Sequence, residues 1–276
     1  MNTGRFIRAL AHDGDVRMLA VMADQAAEEM CQRHSLGGVA AELASSGMVA
    51  SLLLSAHIKG EERILLEIAG DDPVFTFSGE AWADGAVRGR LSPGEMEPFS
   101  HLQGSLVAIK WDSQQEIYRG VAEVDHSSLE GALQAYFLQS QQTHGMVRLG
   151  ARLNGEGKVV FAAGLLLELL PDGMSSEQFE TLLESARNAR LGELMTALAF
   201  GQVLGSEVEL LEVREVTFQC NCSLARVEST LRALGAEDLR LLCKEQGHTM
   251  VTCHFCNSSY EIGGERLLAL AAALES

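Results

Sequence analysis

Four of the six cysteines in this chain fall into two tight pairs, Cys220-Asn221-Cys222 and Cys253-His254-Phe255-Cys256. Thiols grouped in this way converge readily on one tetrahedral ion, and in a reducing compartment the usual occupant of a four-cysteine site is zinc. The first pair constrains the fold further. An ordinary zinc ribbon places two residues between paired cysteines, whereas only Asn221 separates Cys220 from Cys222, which suggests a site built to be broken as well as filled. Spacing alone leaves two readings open: a permanent structural knuckle and a redox switch.

The rest of the chain bounds the context. With 276 residues, 47% hydrophobic and 21% charged, it is long enough for one large core and a small appended unit. A formal net charge of -17 disfavours nucleic acid, because phosphate binding rests on lysine and arginine releasing counterions. Met1 to Phe6 lacks the apolar and small-residue features of a secretory signal. The most apolar stretch, Met48 to Ile58, is interrupted by serines and His57, and no run is expected to span a bilayer. The expectation is therefore a cytoplasmic protein with no membrane and no nucleic-acid partner. Its cysteines would be kept reduced, read first as metal ligands and second as redox groups.

Periodicity predicts an α+β protein in three parts: a core domain over 1–170, a helical linker over 171–218 and a cysteine unit over 219–276. Val39 to Ile58 reads as a largely buried helix. Arg63–Ile68 and Val74–Phe77 read as strands followed by a turn at Asp84-Gly85, and Leu106–Trp111 with Ile117–Val124 forms a second hairpin. Ser127-Ser128-Leu129-Glu130 has capping-box spacing and predicts a helix through Tyr136 and Phe137. Val147–Leu153 and Val159–Leu170 flank a turn at Asn154-Gly155-Glu156-Gly157. Beyond Pro171-Asp172-Gly173, Phe179, Leu182, Leu183, Ala186, Leu191, Leu194, Met195 and Leu198 recur at helical spacing, and residues 171 to 218 hold nine acids against three arginines. In the cysteine unit, Ser223 caps a helix ending at Gly235, a second helix runs from Glu237 to Glu245, and Thr249–Thr252 and Ser258–Ile262 pair as strands. About sixty residues with so few large apolar side chains make a marginal core, so a metal must contribute folding energy there.

The segment from Val216 through Cys222 and Ser223, then Leu234-Gly235-Ala236-Glu237-Asp238-Leu239, then Val251-Thr252-Cys253-His254-Phe255-Cys256 and Tyr260, resembles the C-terminal part of the heat shock protein 33 family. Thirty residues separate Cys222 from Cys253, as that family's pattern expects. Tyr136-Phe137-Leu138-Gln139-Ser140-Gln141-Gln142 and Val87-Arg88-Gly89 are similar to two further segments of the family. Departures are confined to the N-terminal part, where Ser35-Leu36-Gly37-Gly38 and Ala44-Ser45-Ser46 replace the usual residues, Gln141 stands for Glu and Arg90 for Tyr.

The resemblance implies a redox-regulated chaperone of the ATP-independent holdase type, not an enzyme. Reduced Cys220, Cys222, Cys253 and Cys256 would bind zinc. Oxidants would form Cys220–Cys222 and Cys253–Cys256 disulfides, releasing the metal and exposing apolar surface to unfolding client proteins, with a homodimer as the oxidised form. Blander readings fit the other candidates. Cys31 and Cys243 read as buried, inert thiols. His254 reads as an outward-facing or second-shell residue, and His12-Asp13-Gly14-Asp15 as a polar turn. Gly155 and Gly157 belong to a hairpin and not to a phosphate loop. A thiol oxidoreductase using Cys253-x-x-Cys256 is disfavoured, because the pair reads as a turn between strands and not as a helix N-terminus.

Overall fold

The apolar stretch becomes the central helix, α2 (Gly38–Leu54), in which thirteen of seventeen residues are buried. The computed structural model describes residues 4–140, 142, 144–171, 173–196, 200–202 and 205–275. Leu198, Gln141 and Asp172 lie outside the described residues.

Helix α2 is rich in Ala, Ser and Gly, so neighbouring elements approach it closely. At Gly47 an added Cβ would lie 2.7 Å from the Phe77 ring. Its buried hydroxyls are satisfied within the helix: Ser45 donates to the Ala41 carbonyl and Ser51 to that of Gly47. Contrary to the sequence expectation, the helical span Gly38–His57 is long and apolar enough to cross a membrane by length and composition. Here it is a core helix, since 83% of that window is buried inside the fold.

Two compact units make up the chain, Met1–Gln219 and Cys220–Ser276. In the first, a ten-stranded sheet wraps the helices. Its strands are β1 (Gly4–Ala11), β2 (Val16–Met22), β3 (Arg63–Asp72), β4 (Val74–Trp82), β5 (Ala86–Ser92), β6 (Leu102–Trp111), β7 (Glu116–His126), β8 (Gly145–Leu153), β9 (Val159–Leu169) and β10 (Val208–Phe218). They follow the order β7-β6-β3-β4-β5-β10-β1-β2-β9-β8. The three expected hairpins are present as β4/β5, β6/β7 and β8/β9. Strands β1 and β2 and helix α1 (Asp24–His34) precede all of them. His12-Asp13-Gly14 forms the turn between β1 and β2, in left-handed backbone that is costly outside a turn.

The main core fills the space between the sheet and α1, α2 and α3 (Leu129–Ser140). Phe6, Phe77, Tyr136 and Phe137 are its largest buried side chains. A second core lies on residues of β1, β2 and β9 and is covered by α4 (Ser176–Asn188) through Phe179, Leu182, Leu183 and Ala186. Ser175 and Gln178 form a capping box at the start of α4. At its other end Arg148 donates from Nη1 to the carbonyls of Ala186, Arg187 and Ala189 at 2.9, 3.2 and 3.1 Å.

The helical reading of the linker gives way at β10. Residues 208–216 pair antiparallel with β1 over eight positions, and Thr217 and Phe218 pair in parallel with Ala86 and Val87 of β5. Val208, Val213, Val216 and Phe218 suit a strand, and once β1 offers a partner Glu209 and Glu215 are tolerated on exposed positions and Glu212 on a half-buried one. Gly85 makes the β5 junction possible. It has φ of 94°, and a Cβ there would fall 2.0 Å from the Glu215 carbonyl oxygen.

The second unit has α5 (Leu224–Arg232), α6 (Ala236–Gln246), β11 (His248–Thr252), β12 (Ser259–Gly263) and α7 (Gly264–Ala272). Its small core comprises Val227, Leu231, Leu239, Ile262, Leu267, Leu270 and Ala271. Three of those seven come from α7, which the sequence reading had not assigned.

Candidate metal centre

Strands β11 and β12 pair in antiparallel register down to Thr252↔Ser259, and the chain turns between them through Cys253 to Ser258. Two backbone bonds close the turn: the Cys253 N–H donates to Ser258 and the Asn257 N–H to Cys253, at 2.9 and 2.8 Å. Asn257 supplies the left-handed residue, with φ of 57°. Cys253 and Cys256 therefore occupy a turn between strands and not a helix N-terminus, as the sequence suggests. The other pair sits where β10 has ended and α5 has not begun. Ser223 caps α5 by accepting from the Arg226 N–H at 3.3 Å, which fixes Cys222 immediately before the helix.

These local structures bring all four predicted cysteines together. The Sγ atoms of Cys220, Cys222, Cys253 and Cys256 all lie within 4.8 Å of one another. Cys220 and Cys253 are 3.7 Å apart, and Cys222 and Cys256 are 3.3 Å apart. A tetrahedral site with metal–sulfur bonds of about 2.3 Å has sulfurs about 3.8 Å apart, so the cluster is close to that geometry without rearrangement. Four soft sulfurs with no carboxylate among them suit zinc or iron far better than calcium or magnesium.

Electrostatics point the same way. Burial pushes the Cys256 thiol up, but hydrogen bonds with Ser258, through side chain and backbone, and with Cys222 and Cys253 outweigh it and bring the group down to about 6. Cys222 is pushed up to about 12, first by burial and then by its neighbouring thiols, against the opposing hydrogen bond of Tyr260. Burial also raises Cys253. One proton thus leaves Cys256 easily while those of Cys222 and Cys253 resist, as expected where a second thiolate must form beside a first. A divalent cation would remove that penalty.

Tyr260 and Ser258 complete the surroundings. The Tyr260 hydroxyl is 3.0 Å from Cys222 Sγ, and the Ser258 hydroxyl is 3.3 Å from Cys256 Sγ. Sequence reasoning placed both on the return strand without assigning them a role. The usable signal was their position two and four residues after the last cysteine, which turns them back toward the cluster. Cys31 and Cys243 stand outside it. Cys31 is buried and held near the Ala41 carbonyl and Ser45 hydroxyl, and burial pushes its thiol up to about 11. Cys243 is half-buried, with its thiol 3.6 Å from the Gly264 carbonyl. His254 is exposed and is not one of the clustered ligands.

A sheet wrapped around a buried helix, followed by a small unit folded about four converging thiols, is the architecture of a known chaperone family. The family model described as Hsp33 protein matches residues 4–263, and the chain belongs to that family. It is 28% identical over 289 residues to the 33 kDa chaperonin of Bacillus cytotoxicus, covering 97% of this chain and 98% of the relative. It is 26% identical over 288 residues to the protein of the same name from Shouchella clausii, with 98% of each covered. The crystal structure of the 33 kDa chaperonin, a heat shock protein 33 homolog, from Thermotoga maritima has the same fold. Its TM-score is 0.89 over 99% of both chains, at 21% identity.

Proposed function

We propose that this chain is a redox-regulated, ATP-independent holdase whose resting form binds zinc through Cys220, Cys222, Cys253 and Cys256. The observation that carries the reading is the convergence of these four sulfurs within 4.8 Å, in the terminal unit of a member of a chaperone family. Zinc bound there would offset the mutual repulsion of the thiolates and add folding energy to a unit whose own core has seven buried residues.

Oxidation consumes the ligands. Cys220 joins Cys222 and Cys253 joins Cys256. Each new S–S bond gives up two electrons to a peroxide or hypochlorous acid, which is reduced to water or to chloride and water. Sulfurs tied in disulfides no longer act as thiolate ligands, so the unit loses the contribution that kept it folded. In the reduced cluster sulfurs also approach across the pairs, Cys220 to Cys253 and Cys222 to Cys256. The assignment within pairs rests on the family resemblance, and peptide mapping tests it directly. The apolar face of α4, packed on the second core in this state, is surface that becomes available to unfolding clients when the connector loosens. The oxidised form is expected to be a homodimer acting in the cytoplasm.

The test follows metal, thiols and holding together. Reduced protein should contain about one zinc per chain. Peroxide should release it, remove four free thiols and start suppression of light scattering by a denaturing client. Zinc retained after oxidation, or holding that does not depend on oxidation, refutes the proposal.

A further inference from the structure

The sheet of the first unit ends in two edge strands, β7 and β8, and α3 packs against both. An uncovered edge is a template for another strand, and natural proteins blunt such edges. Here α3 does so with side chains. The Gln134 amide donates to the Gly145 carbonyl at 2.8 Å and accepts from the Val147 N–H at 2.7 Å, as a neighbouring strand's peptide would. Glu130 accepts from the Leu149 N–H at 2.7 Å. The bonded positions 145, 147 and 149 follow the two-residue alternation of an edge, so the next outward-facing peptide on β8 is that of Ala151.

Helix α3 begins at Leu129, and among the described residues no side chain is bonded to the Ala151 peptide. A cavity of about 490 Å³ opens there, bounded by residues 149–151 of β8, the start of α3, and α2. Val39, Leu43 and Phe99 give it apolar walls, and the carboxylates of Glu42 and Glu130 line it. It combines a strand edge, room for side chains, and negative charge.

We propose that this cavity docks an extended segment of non-native polypeptide, which adds to β8 at Ala151 as an antiparallel or parallel strand. Aliphatic side chains would enter the cavity, and flanking Lys or Arg residues would meet Glu42 and Glu130. This rests on the chaperone reading and names its partner at one place. Recognition through main-chain hydrogen bonds suits a protein that must accept many sequences, since every peptide carries the same donors and acceptors. The acidic lining selects basic segments among them.

The test uses oxidised full-length protein and a fluorescein-labelled peptide of alternating valine and threonine flanked by lysines, read by anisotropy. Methylating alternate backbone nitrogens of the peptide should weaken binding about tenfold or more, and glutamate flanks should also weaken it. Ala151→Pro should match the first effect, because it removes the outward N–H at an edge position where proline is tolerated. Should that variant not fold, the methylated peptide on the unaltered protein decides alone. Equal affinity for plain and methylated peptides overturns the inference. So does a concentration-dependent dimer that Ala151→Pro abolishes while the peptides bind alike, which would give the edge to a second copy of this chain. Oxidised protein that holds a denaturing client yet fails the peptide comparison loses only this site. Oxidised protein that holds nothing loses the function itself.

Discussion

Replacing Arg148 should loosen the connector helix without oxidation. From a strand of the sheet, its guanidinium closes the end of α4 by donating to the carbonyls of Ala186, Arg187 and Ala189. A hydrogen bond involving a charged group contributes about 1.5–3 kcal/mol, and a cation at a helix C-terminus about 0.3–1 kcal/mol. Arg187 is exposed and Ala189 half-buried, so water can reach those two vacated carbonyls and return part of this, whereas Ala186 is buried. A net loss of about 2 kcal/mol for Arg148→Ala is expected, or roughly a 30-fold rise in the local opening equilibrium. Amide hydrogen exchange resolved over 176–188 measures it, with the α2 amides as internal reference. Arg148→Lys should lie between, because it keeps the charge but replaces the planar guanidinium, whose Nη1 makes these contacts, with a compact ammonium on a shorter stem. Reduced Arg148→Ala protein should also hold some client before any oxidant is added. Unchanged exchange across α4 in a variant with native circular dichroism would refute the reasoning, since the three bonds would then carry no energy.

Two other perturbations read different parts of the molecule. Burial holds His57 below its ordinary value of 6.5, and Arg17, Arg8 and Lys110 lower it further against the opposing pull of Glu168. The unfolded chain therefore takes up a proton at a higher pH than the folded one. Stability should be full above about 6.5 and fall as the pH drops from there toward the folded value. Urea titrations of His57→Gln should lack that part of the slope; an identical slope in both proteins would count against it. A strong zinc chelator under reducing conditions should melt 220–276 selectively, giving random-coil NMR shifts there while β1 to β9 keep their dispersion. Native shifts for α5 to α7 after complete metal removal would contradict a metal-dependent unit.

The cysteine centre was largely legible because its parts are local. Paired thiols, a helix-capping serine and two strands around a turn each leave a mark within a few residues, and together they placed all four sulfurs. The hairpins were legible for the same reason, Asp84-Gly85 most clearly. Long-range effects were not. Ser127 and Glu130 have the spacing of a capping box, yet Ser128 accepts from the Gly131 N–H and Glu130 turns instead to Leu149 across the sheet edge. β10 was hidden because its glutamates match a solvated helix face as well as a strand, and only the arrival of β1 from the other end of the chain decides between them. α7 carries Leu267, Leu270 and Ala271 at helical spacing, a short signal directly behind the return strand β12.

The junction at Thr217 and Phe218 has a consequence for how force would travel. Among the described residues, those two residue pairs are the strand ladder between the five strands on one side of the sheet and the five on the other, beside a bond from Arg214 to the Ala83 carbonyl. The next residue, Gln219, is still anchored by its N–H to the Val87 carbonyl, and the one after it is Cys220. A seam two pairs wide lies at the covalent doorstep of the thiol cluster, so slackening that begins at the sulfurs meets the weakest stitch of the sheet before any other.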